Sequence, residues 1–144
     1  MTDFEELHQE SILDHSRNPR NTASLDHIPK ELVHENPSCG DSLKLEVTID
    51  GSGKIEKVVF DGKGCAISTA SASLMTETVI GLPKAESRRL AGIFIDALRG
   101  KGEPGALDAM GDLAAFKGVI RFPMRVKCAS LAWHALLATL PDAG

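Results

Sequence analysis

Residues 42–61 read SLKLEVTIDGSGKIEKVVFD, and this stretch decides the fold class. From Ser42 to Asp50, Leu43, Leu45, Val47 and Ile49 alternate with Lys44, Glu46, Thr48 and Asp50. A period of two with one polar side marks a strand that rests one face on a core and wets the other. Asp50-Gly51-Ser52-Gly53 is a tight-turn sequence, and Lys54–Asp61 supplies the returning strand. The segment therefore predicts an antiparallel hairpin.

On either side the patterning becomes helical or irregular. Thr2-Asp3-Phe4-Glu5 fits a capping box, Phe4, Leu7, Ile12 and Leu13 form a partial stripe, and Asn18-Pro19 ends that helix. Residues 18–38 carry Pro19, Pro29 and Pro37 and read as mostly irregular, with a short strand near Leu32–His34. After Gly62-Lys63-Gly64, Cys65–Ile80 is an Ala-, Ser- and Thr-rich helix that ends at Gly81, and Pro83 opens the next. Leu90, Ile93, Phe94, Ala97 and Leu98 keep helical spacing, and Arg99-Gly100-Lys101-Gly102 breaks it. A weaker helix is expected over Pro104–Phe116. A final one starts near Pro123–Val126 and carries Leu131, Trp133, Leu136, Leu137 and Leu140. Without repeats or a linker, the 144 residues are expected to form one domain.

Composition removes several classes of function. A net charge of −4 argues against a nucleic-acid groove or an anionic membrane partner. Five Phe, one Trp and no Tyr leave little material for stacking bases. No apolar run reaches the ~18 residues of a membrane span, and Met1 to Glu10 is acidic, unlike an export signal. A cytoplasmic protein is the expectation. Three cysteines, an odd number, argue against a disulfide framework and turn attention to metal or thiol chemistry.

Cys39 lies in Pro37-Ser38-Cys39-Gly40-Asp41, where Gly40 gives the backbone freedom to bring thiol and carboxylate to one point. Cys65 falls at a strand-to-helix junction and Cys128 in the first turns of the last helix. There the helix dipole favours thiolate, and Lys63, Arg125 and Lys127 add positive charge nearby. Three thiolates and the Asp41 carboxylate make a four-coordinate set acceptable to zinc, and thiolates equally suit an iron–sulfur cluster. The intervals are long, 26 positions from Cys39 to Cys65 and 63 from Cys65 to Cys128, with no CxxC knuckle. Each cysteine taken singly fits a small core residue as well, and Asp41 fits a strand cap. The five histidines show no paired ligand spacing; His34, five residues before Cys39, is the one nearest the motif.

Four stretches carry a family resemblance: Asn18-Pro19-Arg20-Asn21, Asn36-Pro37-Ser38-Cys39-Gly40-Asp41, Phe60-Asp61-Gly62-Lys63-Gly64-Cys65-Ala66-Ile67-Ser68 and Arg125-Val126-Lys127-Cys128-Ala129-Ser130-Leu131-Ala132-Trp133. In that order they resemble the U-type iron–sulfur cluster assembly proteins, and the likeness covers nearly the whole chain. ISC-type members place a histidine before the third cysteine. Here that position is Lys127, and the longer connection at Gly100–Phe122 also resembles the SUF-type (SufU-like) branch. The resemblance implies an α+β fold, a small antiparallel sheet of about three strands with helices packed on it. It implies a zinc ion held by Cys39, Asp41, Cys65 and Cys128, or alternatively a transient iron–sulfur cluster. Its implied partners are a pyridoxal-phosphate cysteine desulfurase and downstream assembly components, with Cys39 as the thiol that accepts persulfide sulfur. Arg125 and Lys127 are candidates for steadying that sulfur or meeting the partner, or plain surface charges. The rival readings are a cluster scaffold on the same cysteines, a structural zinc domain and, more distantly, a cysteine hydrolase, for which no histidine is assigned.

Overall fold

The alternating hydrophobic pattern of residues 42–49 becomes the central strand of a small sheet. The computed structural model describes residues 3–36, 40–103 and 105–140, with side chains from residue 10 onward. Its elements are α1 (Asp3–Arg17), β1 (His34–Asn36), β2 (Asp41–Ile49), β3 (Ile55–Lys63), α2 (Ala66–Val79), α3 (Lys84–Leu98) and α4 (Pro123–Thr139). The sheet runs β1-β2-β3 and is antiparallel throughout, so the architecture is α+β as expected. The capping box at Thr2–Glu5 and the side chains of Phe4 and Leu7 lie outside the described residues.

β2 and β3 pair from Ser42↔Lys63 to Thr48↔Lys57. Asp50 closes the hairpin by accepting the N–H groups of Ser52 at 2.8 Å and Lys54 at 3.1 Å, an Asx turn completed by Gly53 at φ +84°. Leu43, Leu45, Ile55, Val58 and Phe60 are buried beneath α2 and α4. The short first strand lies two residues later than expected. Pro29 leads residues 30–32 into a 3₁₀ turn, and pairing starts only where His34 faces Leu43.

Small side chains let α2 sit in the middle of the fold, against α1, α4 and β3. Ala70, Ser71, Ala72 and Ser73 are all essentially without exposure. Their hydroxyls are satisfied, as burial demands. Ser71 Oγ donates to the Ala129 carbonyl at 2.5 Å and accepts from Trp133 Nε1–H at 3.2 Å. α3 packs on α4 through Phe94, whose ring lies 4.8 Å from that of Trp133 and 5.8 Å edge-on from Phe116. Among the described residues, no helix is long and apolar enough to cross a membrane.

The helix expected over Pro104–Phe116 is corrected. Pro104 itself is outside the described residues, and the rest forms two 3₁₀ pieces, Leu107–Ala109 and Gly111–Val119. Gly105 at φ +76° and Gly111 at φ +63° interrupt α-helical propagation. Leu107, Met110, Leu113, Phe116 and Val119 recur every third residue, and in a three-residue turn they share one face. Four of the five, all but Met110, are buried there.

α1 is joined to α2 by a buried histidine. His15 is 5% exposed, with Nδ1 2.7 Å from Ser73 Oγ and Nε2 3.5 Å from Glu77. Ser73 Oγ also accepts the Arg20 N–H at 2.9 Å. Burial, helped by the Arg20 charge, holds the imidazole below the usual histidine range. As pH falls through about 6.5 the unfolded chain takes up this proton before the folded chain does, and stability is lost. The loss ceases once pH is below the depressed native value. His34 and His134 are lowered by burial and act in the same direction. Thermal unfolding is expected to show a lower Tm at pH 5.5 than at pH 7.5, with His15→Gln removing part of the difference; an unchanged difference in that variant would exclude His15 as a contributor.

Candidate metal centre

Three elements end at one place. Asp41 is the first residue of β2, Cys65 caps the N-terminus of α2, and Cys128 is in the second turn of α4. A carboxylate oxygen of Asp41 and the two sulfurs all lie within 4.8 Å of one another. Asp41 and Cys128 are buried, at 2% and 4% exposure, while Cys65 is open to solvent. Neither described cysteine is in a disulfide. Cys39 lies outside the described residues.

The strand register makes this convergence. Lys63 faces Ser42, so the chain leaving β3 passes beside Asp41 before α2 begins. The Cys65 N–H donates to Asp41 Oδ1 at 3.0 Å, and the Ser68 N–H donates to Cys65 Sγ at 3.5 Å, the N-cap bond with sulfur as acceptor. Gly64 is required between them. A Cβ there would stand 2.5 Å from Asp41 Oδ1 and closer still to Ser68 Oγ. On the other side, Asn36 Nδ2–H donates to Cys128 Sγ at 3.9 Å from the end of β1. Asn36 also pairs with Asp41 in the sheet and accepts the Gly40 N–H at 3.0 Å.

The donor set fits a divalent metal. Sharing a cation offsets the cost of gathering a carboxylate and thiols away from water. Zinc takes sulfur and carboxylate oxygen together, with tetrahedral neighbours about 3.8 Å apart for sulfur donors, a short closure from the present spacing. Of the two described cysteines, only Cys65 occupies a helix N-terminus; Cys128 lies one turn further in than the dipole argument wants. Lys63, Arg125 and Lys127 are exposed. The Arg125 guanidinium lies 4.7 Å over the Phe122 ring. Lys127 borders a concavity of about 530 Å³ with His34, Asn36, Ser130 and His134. His34 is not among the clustered donors.

Comparison with known proteins places this arrangement. Residues 7–129 match the family described as the NifU-like N terminal domain. The chain belongs to that family. A Streptococcus pyogenes protein named iron–sulfur cluster assembly scaffold protein IscU is 42% identical over 130 residues, covering 90% of this chain and 80% of the relative. A Bacillus subtilis protein named zinc-dependent sulfurtransferase SufU is 41% identical over 131 residues, covering 90% and 86%. A crystal structure from Fervidobacterium islandicum, described as that of a candidate SUF-system cluster assembly scaffold protein, superposes with a TM-score of 0.77. It has 35% identity and covers 90% of this chain and 93% of the other.

Within this NifU-like N-terminal domain, the structure brings together Asp41, Cys65 and Cys128 of the four ligands expected from the sequence, which assigned no role to Asn36, Gly64 or Ser68. The signals were in view: Asn36 stands inside the Cys39 motif, and Gly64 adjoins a cysteine at a strand-to-helix junction. Gly64→Ala is expected to destabilise the chain by about 1–3 kcal/mol through overpacking. Gly92→Ala, at a helical site with open space, should cost nothing. Urea unfolding of the two variants checks this, and equal stabilities would refute the close packing at Gly64.

Proposed function

We propose that this protein is a zinc-dependent sulfur acceptor. In this reading it takes persulfide sulfur from a pyridoxal-phosphate cysteine desulfurase and passes it on for iron–sulfur cluster assembly. The observation that carries the reading is the gathering of Asp41, Cys65 and Cys128, with Cys39 tethered two residues from Asp41. The name of the Bacillus subtilis relative supports it. Bound by these four residues, a zinc ion would hold the thiols deprotonated and occupy their lone pairs.

The chain's residues have distinct tasks. Cys39 is the acceptor: its thiolate attacks the terminal sulfur of the donor's cysteine persulfide. A new S–S bond forms on Cys39, the donor's S–S bond breaks, and the donor cysteine leaves as thiolate. Gly40, at φ +71°, gives that loop a backbone conformation that other residues adopt with strain. Asp41, Cys65 and Cys128 form the fixed part of the site, because strand pairing and two packed helices hold them. A single domain acting in the reducing cytoplasm agrees with an odd number of thiols.

The second reading, a scaffold that builds the cluster on the same residues, is favoured by the name of the Streptococcus pyogenes relative. Lys127 weighs against it, since an ammonium has donors only and supplies no ligand where ISC-type members have histidine.

Protein purified without air is expected to carry one zinc and no acid-labile sulfide. With a cognate desulfurase it should increase sulfide release, and Cys39→Ser should abolish that increase while leaving the fold intact. Iron with acid-labile sulfide would favour the scaffold, and full stimulation by Cys39→Ser would remove Cys39 as acceptor.

A further inference from the structure

Asn36, the last residue of β1, touches three parts of the candidate centre. The residue is 7% exposed, and its side-chain amide donates to Cys128 Sγ across 3.9 Å, joining residues 92 positions apart. Asp41 is its partner in the sheet. Its carbonyl accepts the Gly40 N–H at 3.0 Å and so closes the loop that contains Cys39.

A primary amide suits this place in a way that acids and amines do not. It carries no charge, does not titrate, and offers two N–H donors at its nitrogen. A hydrogen bond to sulfur strengthens when the sulfur ionises, because the acceptor then bears charge. The bond draws sulfur electron density toward the amide and fixes the direction of the Cβ–Sγ bond. Outer partners of this kind orient metal-binding side chains and tune the metal they hold. Cys65 receives its counterpart from the backbone N–H of Ser68, which no replacement but proline removes.

We propose that Asn36 is a positioning residue for Cys128: its amide aims the sulfur at Asp41 and Cys65 and sets how tightly Cys128 holds a divalent metal. The inference rests on the zinc reading above. It adds a residue that binds no metal itself, and it makes the β1–β2 junction an electronic part of the centre as well as a structural one.

The test uses the full chain, wild type and two variants. Asn36→Leu keeps bulk and removes the donor; Asn36→Ser keeps a donor on a shorter side chain. Each protein is loaded with Co²⁺ to read the thiolate-to-cobalt charge-transfer band, and Zn²⁺ affinity is measured against a chromophoric chelator. Asn36→Leu is expected to move the band to longer wavelength and to weaken zinc binding by about 10–100-fold. Asn36→Ser should lie between it and the wild type. In the wild type, the Asn36 side-chain amide protons should shift on Zn²⁺ addition, a measurement that stands even if Asn36→Leu does not fold. An unmoved band with affinity within about twofold, or amide protons indifferent to zinc, would overturn the role and leave Asn36 as a loop-closing residue. A wild-type protein with no thiolate-to-cobalt band would instead refute the zinc reading itself.

Discussion

The hydrogen bond from the Cys65 N–H to the Asp41 carboxylate is the constraint on which the site depends. It ties the beginning of β2 to the beginning of α2. Because β2 and β3 are paired up to Ser42↔Lys63, the chain has one residue, Gly64, in which to reach the capping position. Any side chain there would occupy the space in which the carboxylate and the Ser68 hydroxyl stand. The direction in which α2 leaves the sheet and the placement of the Cys65 sulfur are thus one decision, made by a residue with no side chain.

The third donor arrives by a different route. α4 is laid against α2 through small residues, and Ser71 bridges the Ala129 carbonyl and the Trp133 indole. Ala129 follows Cys128, so the bond that satisfies a buried serine also fixes the backbone beside the thiol. Phe94 of α3 braces Trp133, and Phe116 of the 3₁₀ segment braces Phe94 in turn. Packing far from the sulfurs therefore determines whether they stay together.

The parts legible in the sequence were those that local physics decides. The hairpin followed from alternation and an Asx turn, and α2 and α4 from where strand residues gave way to helical ones. Asp41 was legible as a candidate because it stands two residues from a cysteine across a glycine. The 3₁₀ character of residues 107–119 was present as a three-residue apolar spacing, which an eye set for 3.6 reads as a weak helix. Asn36 was harder. Its contact with Cys128 spans 92 positions, and only the finished packing of β1 beside α4 shows the amide aimed at sulfur. His34 drew notice by proximity in sequence, yet two strand positions separate it from Asn36 and it stands apart from the donors. Cys39 is outside the described residues, and its place in the proposed centre is argued from its position two residues before Asp41.

That tether has a consequence for how two proteins must meet. The loop between β1 and β2 is pinned at both ends, Asn36 against Asp41, with Gly40 bonded back to Asn36. A residue two positions from a strand anchor has a contour of roughly 7 Å to explore, plus the length of its side chain. This is a short leash rather than a swinging arm of the kind that carries lipoyl or biotinyl groups between distant centres. For a sulfur carrier of the kind proposed, chain length alone would rule out delivery across a gap. Under the proposed reading, a donor would have to bring its own sulfur almost into contact with the rim formed by Asp41 and Cys65, and shape agreement between the two surfaces would be a condition of transfer.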